Sequence, residues 1–403
     1  MTDGRVLLED SLRPVSMFLR CNGVLFNFLT PNRGNCLLYI IRCLCNGLIM
    51  LAVWSNFAFQ LTQCFVSVLE NKKLFSIVTT CLLSLFGSTA ILIQYQFYVH
   101  GKQLQQFFEG WKTVEMQSSD RKQGRKALTL MKLFALSMLI LGLISVFFMM
   151  VEVPYEVFSP AYYSFIRDRW DIHLIALITA AIAHFNNVYW LLGDIVTCFF
   201  YYHAGDVIED LVAQLQHTST QLFFGKSLIC VDCDANDKYR QERPFRRIWQ
   251  RYETVVRWVN RANQLFGTVI LWSQLVSFVL LVISTYNAVY FLKKDPYLVV
   301  PVIMLAAMQA TRVLLTNHLL SHLYLSRGNL KSAVTNLLSD DWYRLPVEDR
   351  HLLVFFLARL DKEDLAACPM NLFTINPTNL LTILSLIVTY MVVIFQSDSG
   401  SGE

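Results

Sequence analysis

The side chains able to do chemistry stand out because so little around them can. In the stretch 379–396, Thr389, Val393 and Gln396 are spaced i, i+4, i+7 and share one helical face. The apolar Leu386 lies one turn before them, and no acidic residue joins them. Asp194 and Arg312 sit inside long apolar runs, where an ionised group is costly unless paired or functional. Arg42 and Lys132 lie near the ends of such runs and can extend to the interface. His173 and His184 share another run, and imidazoles titrate near neutral pH. Catalysis finds no support: no Ser-His-Asp set, Gly-rich phosphate loop or His-rich metal cluster is visible. Cys230-Val231-Asp232-Cys233 carries half of a zinc-site pattern, but no second Cys/His pair follows at ligand spacing. The reading is not an enzyme, with no metal and no cofactor.

The elements that must position these groups are membrane helices. Of 403 residues, 55% are hydrophobic and only 16% are charged. A soluble domain carries about 25% charge, so this chain is short of polar surface. Ten cysteines are too few for a disulfide scaffold, and a net charge of +4 is too small to argue for nucleic acid. The polar start, residues 1–10, does not read as a signal sequence. A spanning helix needs roughly 20 apolar residues. Seven segments qualify: 36–61, 74–99, 127–151, 172–200, 265–292, 297–320 and 379–396. The stretch 15–29 is shorter and interrupted by Asn22-Gly23, which reads as an interfacial or re-entrant piece. In 346–365 the apolar Leu352, Phe355, Phe356 and Leu360 recur at helical spacing among charges, which reads as an amphipathic helix outside the lipid. No internal repeat supports an inverted-repeat transporter.

Charge sets the expected orientation. Of the 34 Lys and Arg, 26 fall on one side of these helices and 6 on the other, with Arg42 and Arg312 inside. Cytoplasmic flanks carry the excess, so the N-terminus is expected inside and the C-terminus outside. That is inverted relative to a G-protein-coupled receptor, and Arg167-Asp168-Arg169 then lies in an outer loop. The expected fold is all-α: a cytoplasmic N-terminal region 1–35, six membrane helices in 36–320, cytoplasmic helices in 321–378, a last membrane helix 379–396, and an extracellular tail 397–403. With this orientation, a set of polar and aromatic residues falls at outer depth: Phe147, Trp170, His173, Thr179, His184, Ser284, Tyr286, Asn287 and Tyr290. Met308 and Gln309 lie deeper. An apolar pocket with a few polar anchors is the usual small-molecule site, and these residues are the candidates to line it.

The C-terminal segment Thr389-Tyr390-Met391-Val392-Val393-Ile394-Phe395-Gln396 resembles the Thr-Tyr, five hydrophobics, Gln-Phe signature of insect gustatory receptors. Asn371-Leu372-Phe373-Thr374-Ile375-Asn376 resembles the segment that precedes it in that family. Ser397 stands where the family has its final Phe. The resemblance implies a ligand-gated, non-selective cation channel of the plasma membrane, opened by a small-molecule tastant. It also implies a homotetramer, or a heteromer with other gustatory receptors, in which each subunit lends its last helix to one pore and the cytoplasmic helices form a shared anchor. Leu386, Thr389, Val393 and Gln396 would then face the pore. A fourfold ring of Leu or Val closes by dewetting, and a ring of Gln amides meets a partly hydrated cation. Family members of the sugar type often carry an acidic residue after Thr-Tyr; Met391 stands there, so the tastant stays open. Two other classes also stay open: an insect odorant-receptor-type channel, and a seven-helix receptor or transporter that signals without its own pore.

Overall fold

The computed structural model describes residues 36–69, 74–115, 129, 133, 136, 140, 172–224, 244–294 and 299–399. Among them there is no strand. The helices are α1 (Cys36–Leu69), α2 (Leu74–Val99), α3 (Gly101–Glu115), α4 (Ile172–Phe224), α5 (Pro244–Lys294), α6 (Val299–Asp340), α7 (Val347–Lys362) and α8 (Pro377–Ser399). A single 3-10 turn, Pro369–Asn371, lies between α7 and α8. The expectations for 15–29, for Cys230 and Cys233, and for most of 127–151 lie outside the described residues. Cys43–Val66 and Phe245–Val289 are long and apolar enough to cross a membrane.

Three helices outrun the bilayer. α4, α5 and α6 have 53, 51 and 42 residues. At 1.5 Å per residue they reach roughly 80, 77 and 63 Å, against roughly 30 Å of hydrocarbon. The sequence shows why they do not stop with their apolar runs. Past Phe200, α4 keeps Ala204, Val207, Ile208, Leu211 and Leu215 buried on one face, while Ala213, Gln216 and His217 are exposed. Before Leu265, α5 buries Phe245, Ile248, Tyr252, Val255, Val256 and Val259 and exposes Arg246, Arg247, Arg257 and Arg261. Past Leu320, α6 buries Leu323, Leu330, Val334 and Leu337 and exposes Lys331 and Thr335. Each helix changes from apolar all round to apolar on one stripe, the pattern of a helix leaving lipid for water. The expected membrane segments end at 200 and 320 and begin at 265, whereas α4 runs on to Phe224, α6 runs on to Asp340 and α5 begins at Pro244.

Pairings fix the register. Asp194, Tyr201 and Asp210 of α4 bond to Ser273, Asn263 and Arg251 of α5, so the two run antiparallel. Asp194, Asp206 and Glu209 meet Arg312, His322 and Ser326 of α6, so α4 and α6 run parallel. α3 closes the side of the bundle: Phe107 packs edge-on against Phe200, Trp258 and Phe266.

α7 covers the far end. Leu353, Phe356 and Leu360 are buried, and Phe356 meets Trp249 and Tyr252 of α5 at 5.5 and 5.1 Å. Its apolar face is thus covered by its own chain. Phe355 remains 66% exposed. Arg359 donates to Glu253 at 3.0 Å, and Lys331 pairs with Asp361 at 2.6 Å. Burial pushes the Tyr252 phenol up to about 12, so it stays neutral in this core.

Candidate functional site

The centre of the bundle is polar. Arg312 Nε donates to Asp194 Oδ2 at 2.5 Å, and Ser273 Oγ donates to Asp194 Oδ1 at 2.7 Å. Trp190 Nε1 donates to Ser273 Oγ at 2.7 Å, and the Arg312 guanidinium lies 3.9 Å from the Trp190 ring centroid. Asp194 and Arg312 are 4% and 2% exposed, so neither charge is left to water. The two ionisable groups that stand apart in the sequence are one pair, 118 residues apart along the chain. A buried pair persists only when further bonds satisfy it, and Ser273 and Trp190 provide them. Next to it, Gln274 donates to Thr316 at 2.7 Å and accepts from Asn317 at 3.0 Å.

On one side of this network, toward the start of α4 and α6 and the end of α5, polar side chains are buried without partners. They are Asn186 Oδ1, Ser277 Oγ, Ser284 Oγ, Asn287 Oδ1, and both ends of the Gln309 amide. Each such group costs about 1–3 kcal/mol if nothing meets it. Ser273, Ser277, Ser284 and Asn287 fall on one face of α5 at 3.6 residues per turn, and Gln309 shares the buried face of α6 with Arg312. The arrangement offers donors and acceptors to water or to a small polar molecule.

Of the candidate pocket residues, Ser284, Asn287, Met308 and Gln309 are buried at this end. Tyr286 and His184 are half-buried, and His184 meets the Phe185 ring at 5.7 Å. His173, Thr179 and Tyr290 lie on α4 and α5, where the backbone alone is described. Phe147 and Trp170 lie outside the described residues. Asn186 and Ser277 escape the sequence reading, although Ser277 sits four residues after Ser273 in the same stripe. A separate cleft of about 330 Å³, lined by Trp54, Phe57, Ser88, Ile91, Leu92, Tyr95, Thr268 and Trp272, holds none of the candidates.

The last helix is built differently. Leu381, Leu386, Val388, Tyr390, Val392 and Val393 of α8 are 45–67% exposed, and Thr389 and Gln396 are exposed too. Apolar side chains point away from the protein on several sides, and α8 touches its own chain along α5 and α6. The Tyr390 ring meets Phe278 edge-on at 6.3 Å, as a packing residue would, though half of it is exposed. Pro377 opens the helix at its first position, which needs no N–H donor, and Asn376 Oδ1 accepts from the Asn379 N–H at 3.0 Å. Asn376-Pro377 is thus a helix start rather than a break within one. α8 runs to Ser399, three residues past the expected 396.

Asn263 ties the bundle to the segment that enters α8. Its Oδ1 accepts from the Tyr201 hydroxyl at 2.6 Å and from the Cys368 N–H at 2.9 Å, and its Nδ2 donates to the Ala366 carbonyl at 3.2 Å. Gly267 lets this segment lie against α5, since a Cβ there would stand 2.8 Å from the Met370 nitrogen. Met370 and Asn371 turn the chain with φ of 49° and 58°. Burial raises the Cys368 thiol above its ordinary range, with Asp364 adding to the effect.

Long helices with a polar network at their centre, unpaired polar groups at one end and a lipid-like exposed last helix are the features of a helical membrane protein. Residues 12–400 match the family model described as 7tm Chemosensory receptor, and the chain belongs to that family. Among solved structures it is similar to the insect olfactory receptor OR5 from Machilis hrabei, with 14% identity, a TM-score of 0.72, and coverage of 97% of this chain and 98% of that one. It is similar to the same receptor in complex with eugenol at 14% identity, a TM-score of 0.71 and the same coverage. At that identity the likeness shows the fold. No curated protein sequence matches.

Proposed function

We propose that the chain is a gustatory receptor: a ligand-gated, non-selective cation channel of the plasma membrane, opened by a small-molecule tastant. Its N-terminus is cytoplasmic and its C-terminus extracellular, following the 26-to-6 split of Lys and Arg. The observation that carries the reading is the set of buried, unpartnered polar groups at Ser277, Ser284, Asn287 and Gln309. A tastant with hydroxyl or carbonyl groups would supply the bonds they lack. A relative of the same fold is solved in complex with eugenol, which supports a small organic agonist. Binding opens the channel only if the ligand prefers the open arrangement of α4, α5 and α6. Movement of α5 would reach α8 through Asn263 and the segment 366–376. Four copies of α8, from a homotetramer or a heteromer with other gustatory receptors, would surround the pore. Leu386 and Val393 form its apolar constriction, and Thr389 and Gln396 contact the passing cations. The segment 321–378 anchors the assembly on the cytoplasmic side.

The test is a dose response by calcium imaging, with an agonist found in a tastant panel. His173→Ala, Tyr286→Ala and Asn287→Ala should each raise the half-activating concentration. Loss of one hydrogen bond worth about 1 kcal/mol corresponds to roughly fivefold. Maximal response should change less, because the gate lies on α8. An unchanged dose response in all three would overturn the pocket.

A further inference from the structure

We infer that Asp206, Glu209 and His322 form a binding site for one divalent transition-metal ion of the zinc type, joining α4 to α6 beyond the ends of their apolar runs. One ligand atom from each lies within 4.8 Å of the others. Asp206 and Glu209 are i and i+3 on α4 and so project from one face. His322 comes from the parallel helix α6, with Nε2 at 3.1 Å from Asp206 Oδ1 and 4.0 Å from Glu209 Oε1. A tetrahedral ion bound at about 2.1 Å sets its ligands roughly 3.4 Å apart. The Asp–His pair already meets that spacing, and a small rotation of the half-buried Glu209 side chain completes it.

Two further features point to a ligand. Asp206 is 8% exposed, and its Oδ2 is buried with no hydrogen-bond partner, an oxygen available to an ion. The imidazole is also held in place. Tyr202 stacks on it at 4.2 Å and 22°, and Gly205 leaves room for it, since a Cβ there would stand 2.5 Å from the His322 ring. Ser326 Oγ donates to Glu209 Oε1 at 3.3 Å, orienting the third ligand from outside the cluster. A nitrogen donor with two carboxylates, three protein ligands among the described residues, suits zinc and its first-row neighbours. Calcium takes six to eight oxygens.

The experiment uses the full-length receptor purified in detergent, stripped with chelator and titrated calorimetrically with Zn²⁺. One ion per chain should bind, and Zn²⁺ should raise the melting temperature. Asp206→Asn and His322→Gln should each weaken binding at least roughly tenfold and abolish the thermal shift. His318→Gln, exposed on the same helix, should change neither. Where Asp206→Asn does not fold, Glu209→Gln carries the same expectation. No saturable binding, or binding that all three ligand variants leave intact, overturns the site. Equal competition by Ca²⁺ overturns the metal class.

Discussion

Arg312 and Asp194 form an ion pair with both partners buried. Removing one partner of such a pair costs about 3–5 kcal/mol, while replacing both with apolar groups is often tolerated. Asp194→Leu and Arg312→Met should therefore each lower surface level and thermal stability strongly. The double variant should recover most of the loss. Melting temperatures of the four purified proteins check this, and strictly additive losses would mean that the two charges do not interact. Parts of this region are legible in the sequence. Ser284, Asn287 and Gln309 stand out as polar residues in apolar runs, and the structure buries them at one end of the bundle. Their lack of partners is not legible, since it depends on what three helices bring together. Asp206 and His322 are less legible still: 116 residues separate them, and no local motif joins them.

At the scale of the element, composition and packing disagree in α8. It is apolar enough for a core, yet Leu386, Val388 and Val393 are exposed in the single chain. In the proposed fourfold assembly, one face of α8 would go to the neighbours and one to the pore. Closure at Val393 then depends on water avoiding an apolar ring. Val393→Ser should raise current in the absence of ligand, and Gln396→Ala should alter conductance or relative cation permeability more than ligand sensitivity. Surface-normalised currents decide. Normal ligand-free current and unchanged permeability, at normal surface levels, would remove both residues from the pore. Helix positions were readable where hydrophobicity is continuous: α2 begins at Leu74 and ends at Val99, as the apolar run does. They were less readable where a helix leaves lipid. α4, α5 and α6 continue as one-faced stripes, which a search for unbroken apolar runs does not register.

For the whole molecule, the fold is that of a chemosensory receptor. In the proposed orientation, which rests on the charge split, residues before Val15 lie inside the cell and those after Gln396 outside. An epitope after Gln396 should be labelled on intact cells, and one before Val15 only after permeabilisation. The opposite pattern would reverse the pocket and the pore ends. In the proposed function, this chain makes its own pore. The purified receptor, reconstituted alone into planar bilayers and exposed to an agonist from the tastant panel, tests it most directly. A chain that makes its own pore should give discrete cation currents that appear with agonist, pass Na⁺ and K⁺ alike, and become spontaneous in Val393→Ser. Agonist binding by the same preparation with no current, under any applied voltage, would contradict it.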